Sequence, residues 1–500
     1  MSGARRLLGC SAAALALAAG RLEGQGYSLR LDLQAQTYAY RGLTSDSIRV
    51  DSIVTNPDGS LQTPSGHPVT CPGNSASYCD FFLAGPRIEA IPLVGEVDGN
   101  LFRFGVKGLR LHVAARFAAQ VGDPNAVAGT TPAAQLMEGY AEYSHDWLLG
   151  RLGRQIVTGR LGYTGFDGAM VNGRISNIGL GITGYLGLGL AQATFLYPTN
   201  PIINPLDQWQ PSEGMTVAGA SVNWSAPRVD ARFDYQREVD NDTHNFVSER
   251  VALSGTGRLS PNWAVTGGAD YDLSFDWWGK ADLTVRYTGA SIGASAGIRR
   301  YQPFFNLWTI WGAFSPTPYS AANGSLSAKV GPNLELRGFA EYYWYGNTYT
   351  DAPLVTVVDN GWRGTVGAGY RFSPAWTADA SFEIDRGLGA AANYLQGQVR
   401  WRPSGNLSLA AHAGTLSRPL EFRYNTAGLF WVGVQGDYQP SSRMTLSLLA
   451  DWLNDSQQEP DVGNFSWSQM RLSLRASWFL SSGADLVPLP KALPRRPPPQ

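Results

Sequence analysis

The second half of the chain repeats one unit: a strand of alternating apolar and polar residues, a tight turn, and another such strand. The turns read Ala226-Pro227-Arg228, Ser260-Pro261-Asn262, Gly331-Pro332-Asn333, Ser373-Pro374-Ala375, Pro403-Ser404-Gly405-Asn406 and Pro440-Ser441-Ser442-Arg443. Longer, more polar connections separate successive pairs of strands. Short turns on one side and long loops on the other, hairpin after hairpin, predict an antiparallel β-barrel that crosses a membrane with its strands.

The alternation can be followed residue by residue. In 376–385, Trp376, Ala378, Ala380, Phe382 and Ile384 oppose Thr377, Asp379, Ser381, Glu383 and Asp385. In 229–236, Val229, Ala231, Phe233 and Tyr235 oppose Asp230, Arg232, Asp234 and Gln236. Stretches 281–288 and 472–480 behave in the same way. A period of two places each set on one face of a sheet, in a soluble sandwich as well as in a barrel. Strand length favours the membrane, because many strands reach the ten or so residues that a tilted strand needs to span a bilayer. Aromatic residues beside the turns (Tyr370, Phe372, Trp376, Trp401, Tyr438 and Trp478) fit an interfacial girdle.

Composition agrees with alternation rather than with apolar helices. Mean hydropathy is −0.17, and no apolar run of spanning length follows the N-terminal region. The net charge of −1 gives no steering toward nucleic acid. Of 39 basic residues, only Lys107, Lys280, Lys329 and Lys491 are lysines. That bias has two readings: a GC-rich genome, or guanidinium groups lining a pore beside carboxylates.

The N-terminus reads as a secretory signal over 1–20, with Arg5 and Arg6 before the apolar stretch Leu7 to Ala19. Cys10 is lost with it. Cys71 and Cys79 then sit in a polar, Pro/Gly-rich segment of the loop 43–84, and a disulfide between them is expected. The barrel is expected over 27–480, with about 22 strands (18–22), no plug domain, and 43–84 as a long extracellular loop. Strand one is placed at 28–40, and Asp98-Gly99-Asn100 is read as a turn between strands near 85–96 and 101–120. Residues 481–500 form a Pro-rich periplasmic tail, open to a periplasmic partner or to no partner at all.

Two short segments carry a family resemblance. Arg151-Leu152-Gly153-Arg154-Gln155, followed by Phe166-Asp167-Gly168-Ala169, resembles paired strands of alginate-export-type outer-membrane barrels, which are porin-like. The resemblance is confined to about 25 residues around 151–175. It implies a wide barrel in the bacterial outer membrane, with Gly153, Arg154, Gln155, Phe166, Asp167 and Gly168 as the family motif, Arg154 and Gln155 at the wall and Asp167 near the loop mouth. The intervening Thr158 to Tyr163 departs from that family's acidic pattern. The local alternation is ambiguous and admits a bulge.

Catalysis is not expected. His67, His112, His145, His244 and His412 show neither metal spacing nor a nucleophile elbow. No cofactor or metal is expected, and the partners are outer-membrane lipid and a solute. The polar faces place Arg232, Arg286, Arg337, Arg371, Arg400, Arg475, Asp230, Asp379, Glu383 and Tyr343 along a lumen. Such a lumen suits a porin-like channel for hydrophilic, anionic solutes. A polysaccharide exporter and a non-conducting structural or adhesive barrel are the alternatives. The apolar loop 304–311 is read as a candidate to fold inward.

Overall fold

The computed structural model describes residues 26–57, 59–73, 77–102, 106–122, 134–190, 215–241, 246–302, 318–346, 360–387, 390–417, 426–458 and 466–482. The signal segment, the Pro-rich tail, His244 and the loop 304–311 lie outside them.

The strands in chain order are β1 (Gly26–Gln36), β2 (Tyr38–Arg49), the short β3 (Val54–Thr55), β4 (Leu61–Gln62) and β5 (Val69–Thr70), then β6 (Tyr78–Phe102) and β7 (Leu109–Gly122). There follow β8 (Ala134–Ser144), β9 (Leu148–Gly159), β10 (Gly162–Ile175), β11 (Leu180–Gly189), β12 (Met215–Ala226), β13 (Val229–Asp240) and β14 (Phe246–Arg258). The next six are β15 (Trp263–Asp272), β16 (Trp277–Thr288), β17 (Ile292–Tyr301), β18 (Tyr319–Val330), β19 (Leu334–Tyr345) and β20 (Asn360–Arg371). The last are β21 (Trp376–Gly387), β22 (Ala390–Ser404), β23 (Leu407–Ser417), β24 (Thr426–Ser441), β25 (Met444–Gln458) and β26 (Trp467–Ser482). From β6 to β26 each pairs antiparallel with its sequence neighbour, β2 pairs with β6, and β1 closes the ring between β6 and β26 through Tyr27↔Leu101 and Tyr27↔Ser482. With β1 and β2 counted as one wall strand and β5 left out, the sheet of 24 strands is a closed transmembrane barrel of 22.

Register fixes the two faces. Leu31↔Trp478, Leu446↔Ala476, Val432↔Trp452 and Trp376↔Trp401 run around the outside. The ladder Gln34↔Arg475, Arg475↔Ser447 and Ser447↔Asp437 runs around the inside. Outward aromatics form two belts: Trp263, Tyr287, Tyr370, Trp376 and Trp401 by the short turns, and Trp278, Tyr342 and Trp362 by the long loops. Apolar side chains exposed between them, such as Leu253, Ile298 and Val366, form the lipid-facing band.

Two parts of the fold differ from the sequence reading. Asp98-Gly99-Asn100 is not a turn: β6 runs straight through it, paired as Arg30↔Asp98 on one side and Asn100↔His112 on the other. The chain reverses after Phe102, reaching β7 through Gly108 at a φ of +87°. A local Asp-Gly signal loses where both flanking strands offer continuous ladders. Segment 43–84 is also more regular than a loop. β2 and β6 stay paired from Tyr38↔Ala90 to Arg49↔Tyr78, whereas β7 leaves β6 at Ala90↔Gly122. The result is a two-stranded ribbon standing above the rim. Its end carries the β3–β4 and β5–β6 pairings and the Cys71–Cys79 disulfide (S–S 1.97 Å).

Candidate functional site

The short connection between β9 and β10 stands at the long-loop end of the barrel, and there the wall changes course. β8 and β9 pair over only six residue pairs, ending at Gly139↔Arg154. β9 and β10 stay paired to Gly159↔Gly162, while β11 follows β10 only to Phe166↔Gly189. The hairpin above these points, residues 155–165, therefore leaves the wall. Its contacts show that it turns inward.

Three wall segments grip its tip. The Arg232 guanidinium donates to the Thr158 carbonyl at 3.0 Å, and Arg250 donates to the Leu161 carbonyl at 3.2 Å. Arg160, at the tip itself, donates to the Gly268 carbonyl (2.7 Å), the Lys280 carbonyl (2.8 Å) and Asp282 (2.6 Å), with Asp270 at 3.7 Å. Thr164 donates to Gln236 at 2.7 Å, and Gln236 in turn donates to Glu238 at 2.7 Å. The hairpin thus crosses from β9–β10 to β13–β16. Phe166, Met170 and Val217 pack behind it with Leu149, Val157 and Tyr185, and Phe166 stacks on Tyr185 with ring centroids 5.2 Å apart. Asp234, Gln236, Glu238, Ser248 and Arg250 are buried too. The space behind the hairpin is filled, and the remaining wall takes no part in these contacts among the described residues.

That remaining wall carries a paired upper level. Glu341 is buried and accepts from Arg299 (2.6 Å) and from Arg363 (2.5 Å). Tyr343 faces inward, lies against Gly361 and donates to Asp385 at 3.2 Å. His412 and Asp451 pair across β23 and β25 at 2.7 Å. On the β7–β9 side the pairing lies at the short-turn end, where Glu142 accepts from both Arg110 (2.9 Å) and Arg151 (2.7 Å).

Along β14–β22 the short-turn level is different. Arg258, Arg286, Lys329, Arg371 and Arg400 all face inward, each within the last five residues of β14, β16, β18, β20 or β22. None makes a side-chain hydrogen bond or ion pair among the described residues. Arg258 and Arg286 flank Ala264, and Arg371 and Arg400 flank Thr377; only Lys329 has a carboxylate, Glu335, as register partner. Elsewhere near this end the acids are held. Asp32 accepts from Arg475 (3.0 Å) and pairs with Arg30 (2.7 Å), Asp379 pairs with Arg337, and Ser225 donates to Asp230. Glu383 faces inward opposite Thr365 and Tyr394.

The two segments of the family resemblance meet in register: Gly153↔Gly168, Arg154↔Asp167 and Gln155↔Phe166. They form the root of the inturned hairpin. Gln155 and Phe166 are buried, but Arg154 and Asp167 face outward, so Asp167 is not at the loop mouth. No bulge falls within 151–155: the register is unbroken through Tyr140↔Gly153 and Gly153↔Gly168, although Gly153 takes a φ of +129°, and the nearby irregularity lies between Ala114 and Ala115, where β7 pairs with β8. Arg160, Arg250, Glu238, Arg299, Glu341 and Arg363 are absent from the residues singled out by sequence. Inward parity was a signal for the last three; for Arg160 there was none.

No protein-family model and no curated protein matches the chain. The alginate-export resemblance therefore stays with its two segments. Among solved structures, the chain overlaps the copper transporter OprC with a TM-score of 0.45 and 11% identity, over 92% of this chain and 81% of that one. It overlaps the siderophore receptor PirA from Pseudomonas aeruginosa at 0.40 and 11%, over 90% and 80%. A BenF-like porin from Pseudomonas fluorescens Pf-5 overlaps at 0.38 and 10%, over 93% and 100%. Overlaps this low assign no function, and the barrel assignment rests on the strand register.

Proposed function

We propose that the protein is a channel of the bacterial outer membrane for small hydrophilic solutes, with a preference for anions. One observation carries the preference: on five successive downward strands an inward cation makes no side-chain hydrogen bond or ion pair among the described residues. Unpaired guanidinium and ammonium groups project a positive potential into a water-filled lumen, and that potential concentrates anions and repels cations. The paired upper level adds little net field, because Glu341 and Asp282 are matched by arginines. The hairpin narrowing the passage favours small solutes over a polymer. In this reading the short turns face the periplasm and the ribbon with its disulfide faces outward. The test is the reversal potential of the full chain in a planar bilayer under a potassium chloride gradient. An anion-selective sign is expected; a cation-selective sign, or no conductance, overturns the reading.

A further inference from the structure

We propose that Arg154 and Asp167 form a lipid-facing clasp that closes the barrel wall where the hairpin leaves it, and so holds the hairpin in the lumen. Both side chains lie on the outer face, on the parity of Leu152, Ala169 and Val171. Arg154 stands six residues above the start of β9, so the pair lies between the two aromatic belts. Its surroundings are apolar: Leu152 is 67% exposed, and Leu188, the register partner of Asp167, is 45% exposed. A charge in that band is costly unless it is paired and hydrogen-bonded. Here it is both. Arg154 Nε and Nη2 donate to the two Asp167 oxygens at 2.8 and 2.7 Å, a bidentate fork.

The third donor shows what the pair is for. Arg154 Nη1 donates to the Leu136 carbonyl at 3.1 Å. Leu136 lies on the stretch of β8 that pairs with β7 but not with β9, because the β8–β9 ladder stops at Gly139↔Arg154. An unsatisfied edge carbonyl at membrane depth is unfavourable, and a guanidinium replaces the missing backbone donor. Asp167 completes the link from β10, the strand on the far side of the hairpin root. One ion pair therefore joins β8, β9 and β10 at the point where the backbone ladder ends. Arg154 and Asp167 are positioning residues, and they touch no solute from the outer face.

The inference does not rest on anion preference, and its readouts are separate from it. The full chain in lipid bilayers is compared with Arg154→Met, Arg154→Lys and the apolar double variant Arg154→Met/Asp167→Leu. Hydrogen exchange of amides in 134–138 and 155–165 is expected to quicken about tenfold in Arg154→Met, with β18–β24 unchanged. Open-channel current noise should rise, while the reversal potential keeps its sign. Arg154→Lys retains the charge but cannot span both partners, and should fall between. The double variant leaves no lone charge in lipid, so it remains informative if Arg154→Met does not insert. Exchange and noise matching the unaltered protein in the double variant would overturn the proposal.

Discussion

Gly153 shows how one residue sets the path of a strand. At a φ of +129°, only glycine is comfortable, and a Cβ there would sit 2.3 Å from the Gly139 carbonyl oxygen. Across the hairpin root, a Cβ on Gly168 would meet the Leu186 carbonyl at 2.1 Å. Gly153→Ala therefore strains the bend itself, at a cost on the order of 1–3 kcal/mol. The expected outcome is a lower temperature for conversion of the compact, heat-modifiable species on a semi-native gel; an unchanged temperature would show that β9 bends by other means. At this scale the sequence was informative about faces and mute about partners. Parity alone put Arg232, Asp379 and Tyr343 on the polar side, since side-chain direction in a strand is local. It could not show that Arg232 reaches the Thr158 carbonyl across the lumen, because that contact depends on where another hairpin goes.

The inturned hairpin is one element with two anchors. Its root is apolar, built on Phe166, Met170 and Val217, and its tip is polar, built on Arg160. The apolar root leaves the hairpin inside the barrel when the tip is cut loose. Arg160→Ala removes the donor to Gly268, Lys280 and Asp282 and leaves the acids of β15 and β16 facing the passage. Larger and noisier single-channel currents are expected, with a barrel that inserts normally; currents identical to the unaltered protein would mean that Arg232 and Arg250 suffice. The ribbon of β2 and β6 makes the opposite case. Two strands alone are marginal in water, and the Cys71–Cys79 bond closes a loop at their end. Cys71→Ser with Cys79→Ser should make 50–77 sensitive to protease while thermal unfolding of the barrel stays within about 1 °C, since the ribbon adds little to the wall. Sequence missed the ribbon because a Pro- and Gly-rich stretch reads as loop, whereas pairing is decided by a partner strand far along the chain.

Over the whole molecule, the short turns made closure and strand direction legible, while the field inside the barrel needed the register. Strands β14, β16, β18, β20 and β22 each show a basic residue near the turn, but only the ladder reveals that Arg258, Arg286, Arg371 and Arg400 face Ala264, Ser295, Thr377 and Ala410 rather than acids. A field of this kind is collective, so its test is collective as well. Arg286, Arg371 and Arg400 make no side-chain bond among the described residues, so replacing all three with glutamine should leave the fold intact. One unit charge acting over about 10 Å of water contributes roughly 0.4 kcal/mol, close to a twofold bias per charge. Screening trims the sum, so the anion-to-cation permeability ratio should fall about two- to fivefold in 0.1 M salt, where the Debye length is about 10 Å. In 1 M salt that length drops to about 3 Å, and the variant and the unaltered protein should converge. A ratio that changes equally at both salt concentrations would place selectivity at a narrow contact near the hairpin instead of in the basic arc. A ratio that changes at neither would remove these three arginines from the account.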